Sequence, residues 1–161
     1  MAEHVIGIGE MAASARPTDS LLTLALGSCV AVVAHDPGSG ATGLAHIALP
    51  GGAGDGPRSQ GVGYYADTAI PALLELMAKH GAPAHGGGLQ IKLIGGASML
   101  ESIGGFSIGR RNVVAVKRLL DDRRLTPLAE DTGGSRSRTV RVQVGGCRPV
   151  VTSPGHPPTA L

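Results

Sequence analysis

Apolar residues along this chain come in short runs broken by glycine, proline and polar clusters. The most apolar run, Leu21 to Ala34 (LLTLALGSCVAVVA), carries Gly27, Ser28 and Cys29 at its centre. Glycine weakens a strand interior and marks a bend or a close backbone approach. The run therefore predicts a strand over 21–26, then a second strand or short helical turn over 29–35, with a cysteine displayed where they meet. Asp36-Pro37-Gly38-Ser39-Gly40 has turn chemistry, and the apolar stretch 41–49 beyond it predicts a strand that folds back antiparallel on the segment before it. That pairing brings Cys29 and His46 within a few positions of each other. Pattern alone leaves the register open, and a slip of one residue reverses the faces.

The rest of the pattern is coarser. Residues 5–8 alternate weakly and predict a first strand, and 11–19 reads as a polar loop. Residues 51–63 are rich in Gly, Pro, Ser and Asp, long enough for a mobile flap. A helix follows, with Asp67 or Thr68 as cap, Pro71 in its first turn, an apolar stripe of Ile70, Leu73, Leu74 and Met77, and a stop at Gly81. Residues 89–94 predict a strand running into Gly95-Gly96-Ala97. A second helix is predicted from Asn112 as cap, with Val113, Val116, Leu119 and Leu120 inside and Lys117, Arg118 and Arg123 outside. A strand over 126–131 and a hairpin of 139–144 with 148–152 complete the domain, 1–152, and the Pro-rich 153–161 reads as a frayed tail. The order β-β-β-α-β-α-β-β-β is α+β or mixed, not the strict alternation of a parallel fold.

Composition narrows the classes. The chain has 161 residues, enough for one domain with a real core. Only 2% are aromatic, so that core must be built from Ala, Val, Leu and Ile. Two cysteines make no disulfide framework and point to a reducing cytoplasm. The N-terminus lacks the basic and apolar regions of a secretion signal, and 21–34 is too short to span a bilayer, so membrane insertion is not expected. The net charge of +2 is mild, although Arg110, Arg111, Lys117, Arg118, Arg123, Arg124, Arg136, Arg138, Arg141 and Arg148 gather in the last third. With no tryptophan, two tyrosines and one phenylalanine there is no platform to stack bases, and a solvated face or an acidic protein partner explains them better than nucleic acid does.

A thiol at a bend and an imidazole on the next strand are the parts of an activated nucleophile. A free thiol is only a few per cent thiolate at neutral pH. A neighbouring imidazolium or backbone N–H groups can raise that fraction, whereas burial works against it. The reading therefore requires His46 in contact with Cys29. Thr23, the hydroxyl residue in the 21–26 run, is positioned to orient the ring. Each residue also has a plain structural reading: Cys29 as a small core hydrophobe, His46 as a satisfied core histidine, Thr23 as a β-branched strand residue. The remaining histidines sit in turns and tails, no Cys/His spacing resembles a zinc site, and Cys147 reads as an exposed, incidental turn thiol. The glycine pairs 95–96 and 133–134 lack the lysine and Ser/Thr of a phosphate loop and read as turns.

Several ordered pieces together resemble the chemoreceptor glutamine deamidase family CheD. They are Leu26-Gly27-Ser28-Cys29-Val30-Ala31-Val32, Gly43-Leu44-Ala45-His46-Ile47-Ala48-Leu49-Pro50, Tyr65-Ala66-Asp67-Thr68-Ala69-Ile70-Pro71, Ile94-Gly95-Gly96-Ala97-Ser98-Met99-Leu100, Ile108-Gly109 before Arg111-Asn112-Val113, and Ala129-Glu130-Asp131-Thr132-Gly133-Gly134. The resemblance spans about 5–152. It implies a layered αβ sandwich related to bacterial toxin deamidases, with Cys29 as nucleophile, His46 as general base and acid, and Thr23 orienting His46. It implies conversion of glutamine side chains on methyl-accepting chemotaxis receptors to glutamate with release of ammonia. No metal or organic cofactor is expected, and a CheC-type phosphatase is an implied partner. Backbone N–H groups around Cys29 are candidates for the oxyanion site, with small Gly27 and Ser28 leaving room for substrate. A non-catalytic adaptor that docks on receptors or a phosphatase is the alternative, and an amine-accepting, transglutaminase-like cysteine enzyme a third reading. Arg110 departs from the acidic residue common there, and 134–138 lacks a second glycine; both lie outside the Cys29, His46 and Thr23 set.

Overall fold

In a computed structural model, which describes residues 1–52, 60–98 and 107–161, the long apolar run divides between two sheets. Its first half is β3 (Ser20–Leu26) and its second is β4 (Val30–His35). Strand β4 is buried along its whole length, as expected of a strand covered on both faces. Ala31 and Val33 face one apolar cluster, and Val30, Val32 and Ala34 face the other.

The sheet around β4 has the order β2-β5-β4-β6-β7, built from β2 (Met11–Ser14), β5 (Thr42–Ile47), β6 (Gln90–Gly95) and β7 (Ala129–Thr132). The pairs are antiparallel except β6 with β7. The other sheet has the order β1-β3-β8-β9-β10, with β1 (Glu3–Val5), β8 (Arg138–Gln143), β9 (Val150–Ser153) and β10 (His156–Ala160). Here only β1 and β3 run parallel.

Leu21, Leu26, Val140 and Val142 from the second sheet meet Ala31, Val33, Leu44 and Ile94 from the first. The opposite face of the first sheet is covered by α1 (Ala66–Lys79) and α2 (Ile108–Asp121) through Ile70, Leu73, Met77, Val116 and Leu120. The result is three layers, sheet on sheet on helices, an α+β sandwich. Burying side chains of this size stabilises by roughly 1.5–3 kcal/mol each, so a core nearly free of aromatic rings suffices.

Several expectations are corrected. The first strand is Glu3–Val5 rather than 5–8, and the supposed loop 11–19 contains β2. Helix α1 begins at Ala66 behind Tyr65, because Asp67 and Thr68 spend their side chains elsewhere. Asp67 accepts from Gly52 N at 2.9 Å, and Thr68 donates to Val62 O at 2.7 Å. Pro71 consequently lies past the first turn. Helix α2 is capped by Ser107, whose Oγ accepts from Arg110 N at 3.2 Å, and Asn112 is inside the helix. The strand expected over 126–131 is Ala129–Thr132. The tail expected to fray supplies β10, which pairs with β9 at the sheet edge. Cys147 is buried, its thiol donating to Gln90 O at 3.6 Å. Most of the expected flap, 53–59, lies outside the described residues.

Candidate active site

The β4–β5 ladder decides the geometry. Ala31 pairs with His46 and Val30 with Ile47, so His46 shares the sheet face of Leu44, which points at the other sheet. Cys29 precedes Ala31 by two and packs against the same inter-sheet cluster. Thiol and imidazole therefore stand on one face, offset diagonally by a pair of ladder positions.

Thr23 arrives from the opposite sheet. Along β3, Leu21 and Thr23 point inward, and a bulge between Thr23 and Leu26 then shifts the alternation by one residue. Ala25 takes the left-handed conformation there, φ 54°. Thr23 Oγ1 lies 2.7 Å from Ile6 O and 2.7 Å from His46 Nδ1. A hydroxyl has one proton. Ile6 O is an acceptor only, so the proton goes to it, and the hydroxyl must accept from Nδ1–H. That assigns the tautomer: Nε2 carries a lone pair. Among the described residues Nε2 has no hydrogen-bond partner. His46 is 2% exposed, and its backbone is strapped down by residues 9 and 10, with Gly9 N to His46 O at 2.9 Å and His46 N to Glu10 O at 3.0 Å.

The expected contact between Cys29 and the free ring nitrogen is not a hydrogen bond in this structure. The diagonal offset accounts for that, since a cysteine side chain is short. The expected imidazolium–thiolate pair is not favoured either. Burial pushes the Cys29 thiol up, its own backbone N–H drawing it partly back. Burial pulls His46 down, against the Ile6 carbonyl and the Glu10 charge. The resting pair is thus a neutral thiol near a neutral imidazole. Such a pair is activated by transferring the proton during attack, as a general base does.

Residues 27–29 are half-buried. Gly27 O accepts from Ala97 N at 2.9 Å and Cys29 O from Gly96 N at 2.8 Å. The sequence reading missed Asn112. It is fully buried in α2, and its Nδ2 donates to Ser28 O and to Ala48 O, each at 2.9 Å. The clue was present: an asparagine at a position continuous with the apolar stripe of Val116 and Leu120. Also missed was Arg138, 4% exposed, which reaches from β8 to Asp131 Oδ1 at 3.1 Å and to Gly95 O at 3.4 Å. No group of three His, Cys, Asp or Glu side chains able to hold a metal ion occurs among the described residues. No helix among them is long and apolar enough to cross a membrane.

Fold and site together define a class: a layered α+β domain in which a cysteine and a tautomer-fixed histidine share a sheet face, with the orienting threonine supplied by the facing sheet. Comparison with known proteins gives the family. The family model described as CheD chemotactic sensory transduction matches residues 48–153. The chain is 39% identical, over 97% of both chains, to the probable chemoreceptor glutamine deamidase CheD of Syntrophotalea carbinolica. It is 48% identical to the chemoreceptor glutamine deamidase CheD of Thermotoga maritima, over 88% of this chain and 86% of that one. It is 41% identical, over 92% of both, to the probable chemoreceptor glutamine deamidase CheD 2 of Anaeromyxobacter dehalogenans. The chain belongs to the CheD family.

Proposed function

We propose that this protein deamidates glutamine side chains of methyl-accepting chemotaxis receptors, with Cys29 as nucleophile, His46 as base and acid, and Thr23 as the residue that orients His46. The observation that carries the reading is the Thr23–His46 Nδ1 contact of 2.7 Å, which leaves a bare Nε2 on the sheet face that also carries Cys29. Family membership and the relatives' names supply the reaction and the substrate.

The Cys29 sulfur attacks the carboxamide carbon as its proton passes to Nε2. The C=O electron pair moves onto oxygen, where backbone N–H groups around Cys29 stabilise it, with Gly27 and Ser28 leaving space for the substrate. When the pair returns, the C–N bond breaks, and the imidazolium protonates the departing nitrogen to give ammonia and a thioester. Water, deprotonated by Nε2, attacks the thioester. The C–S bond breaks, the thiol regains its proton, and a glutamate leaves. Every step uses side chains and backbone of this chain, and one water molecule. The same reading puts the protein in the cytoplasm, recruited to receptor arrays, with a CheC-type phosphatase as regulatory partner.

The test is ammonia release from a glutamine-bearing receptor fragment, followed by mass mapping of the converted glutamine. The parent is expected to convert it, and Cys29→Ala and His46→Ala are expected to fail. Equal ammonia release from the parent and Cys29→Ala would overturn the mechanism. Receptor binding without any release would leave the adaptor reading.

A further inference from the structure

Three consecutive carbonyls lead into β4, and each is held by a hydrogen bond. Ala97 N takes Gly27 O, Asn112 Nδ2 takes Ser28 O, and Gly96 N takes Cys29 O. The donors belong to the turn after β6 and to the buried face of α2. In a planar trans peptide, C=O and N–H point in opposite directions. Anchoring Ser28 O therefore turns the N–H of the same peptide, that of Cys29, away from the Asn112 amide, and this N–H acts on the Cys29 thiol, favouring its anion. Beside that sulfur is where the oxygen of an attacked carboxamide must come to lie.

Asn112 is built for this task and poorly for packing. It is fully buried, both Nδ2 hydrogens are directed at carbonyls, and its Oδ1 has no partner among the described residues. A buried acceptor left unpaired is a cost that an aliphatic residue would avoid. Its other partner, Ala48 O, lies two residues beyond His46. One amide group thus joins the nucleophile's peptide to the end of the base's strand.

We propose that Asn112 is the positioning residue of the oxyanion site: it fixes the Ser28–Cys29 peptide so that the Cys29 N–H faces the developing negative oxygen, and it pins that peptide to the His46 strand. The proposal rests on Cys29 being the nucleophile. Asn112 itself touches no reacting atom and acts through the peptide it holds.

The test compares two rates in Asn112→Leu and Asn112→Ala. Deamidation forms a tetrahedral oxyanion, whereas alkylation of Cys29 by iodoacetamide displaces iodide and forms none. Expected is a fall in kcat of about tenfold or more, with KM within about twofold of the parent. The alkylation rate of the Cys29 peptide, read by mass mapping, is expected to fall far less than kcat, because only the partial hold of the Cys29 N–H on its own thiol is loosened. Unchanged kcat overturns the proposal. So does an alkylation rate that falls in step with kcat, because Asn112 would then serve the fold or the sulfur.

Should neither variant fold, the parent carries the test. A small aliphatic aldehyde adds to Cys29: a C–S bond forms and the carbonyl oxygen takes the thiol proton. The Cys29 amide proton of nitrogen-labelled protein is expected to move downfield on addition, and an unmoved resonance overturns the proposal. Failure of the underlying reading looks different, since the parent and Cys29→Ala would then release ammonia alike.

Discussion

Thr23 Oγ1 sits 2.7 Å from His46 Nδ1 and joins side chains from two different sheets. The bond fixes ring orientation and tautomer at once, and it exists only where the sheets are docked. Removing the hydroxyl should therefore affect chemistry more than substrate binding. Thr23→Val, nearly the same shape, is expected to lower kcat about ten- to hundredfold with KM little changed. It also leaves Ile6 O buried without its donor, at about 1–3 kcal/mol of stability. Thr23→Ser keeps the hydroxyl and should retain most activity. Steady-state kinetics and thermal melts of the two variants check this.

The resting charge state predicts how pH acts. The His46 pKa is depressed by burial, so the unfolded chain binds its proton more readily. This contribution to stability is present above the ordinary imidazole value of about 6.5 and is lost as pH falls below it. The Cys29 pKa is raised, so its contribution is complete below the ordinary thiol value and is lost as pH climbs past it. Melts across pH should show a plateau in the neutral range. Cys29→Ala is expected to flatten the alkaline limb, and a neutral replacement of His46 the acid limb. In the folded parent, alkylation of Cys29 should keep rising beyond pH 9.0; a level rate from pH about 6 upward would signal a preformed ion pair instead.

Gly109 tests the seat of α2. A Cβ there would lie 2.4 Å from Ala97 O and 2.5 Å from Gly96 O. Helix propensity alone favours alanine by about 1 kcal/mol. The clash is with backbone, which cannot step aside, and should win. Gly109→Ala is expected to destabilise by about 1–3 kcal/mol and to lower kcat by withdrawing Asn112 from Ser28 O. A melting temperature at or above the parent's would show that α2 has room to spare.

Arg138 and Asp131 are not equivalent halves of their pair. Arg138 is 4% exposed and Asp131 about a third exposed. Asp131→Ala strands a buried guanidinium and is expected to cost about 2–4 kcal/mol, somewhat discounted for the exposed partner. Arg138→Met removes the buried charge itself and should cost less. Denaturant titrations of both variants give the order, and the reverse order would refute the argument.

The parts of this molecule that could be read from its sequence are those where local pattern and tertiary role agree. Gly27-Ser28 inside an apolar run signalled the bend, and a threonine and a histidine inside apolar strands stood out because buried polar groups need partners. Asn112 was misread because asparagine is a favourable cap, and only the tertiary position of α2 shows that its amide points at another segment's carbonyls. Strand β2 was missed because Met-Ala-Ala-Ser at a sheet edge is only partly covered and shows no alternation. Strand β10 was missed because Pro157 and Pro158 argue against a strand; they are tolerated at a sheet edge, where no further ladder bond is required. The neutral charge state of the Cys29 and His46 pair could not be read at all, since it depends on how deeply two sheets bury it.

The groups read here as one reaction centre come from all three layers: Thr23 from one sheet, Cys29 and His46 from the other, Asn112 from the helices. No single layer holds a competent set. A chain that has formed its central ladder, but has yet to acquire the covering sheet, has a histidine free to swing and no hydroxyl to fix its tautomer. The ring's orientation and tautomer are thus properties of the finished sandwich and of no layer within it.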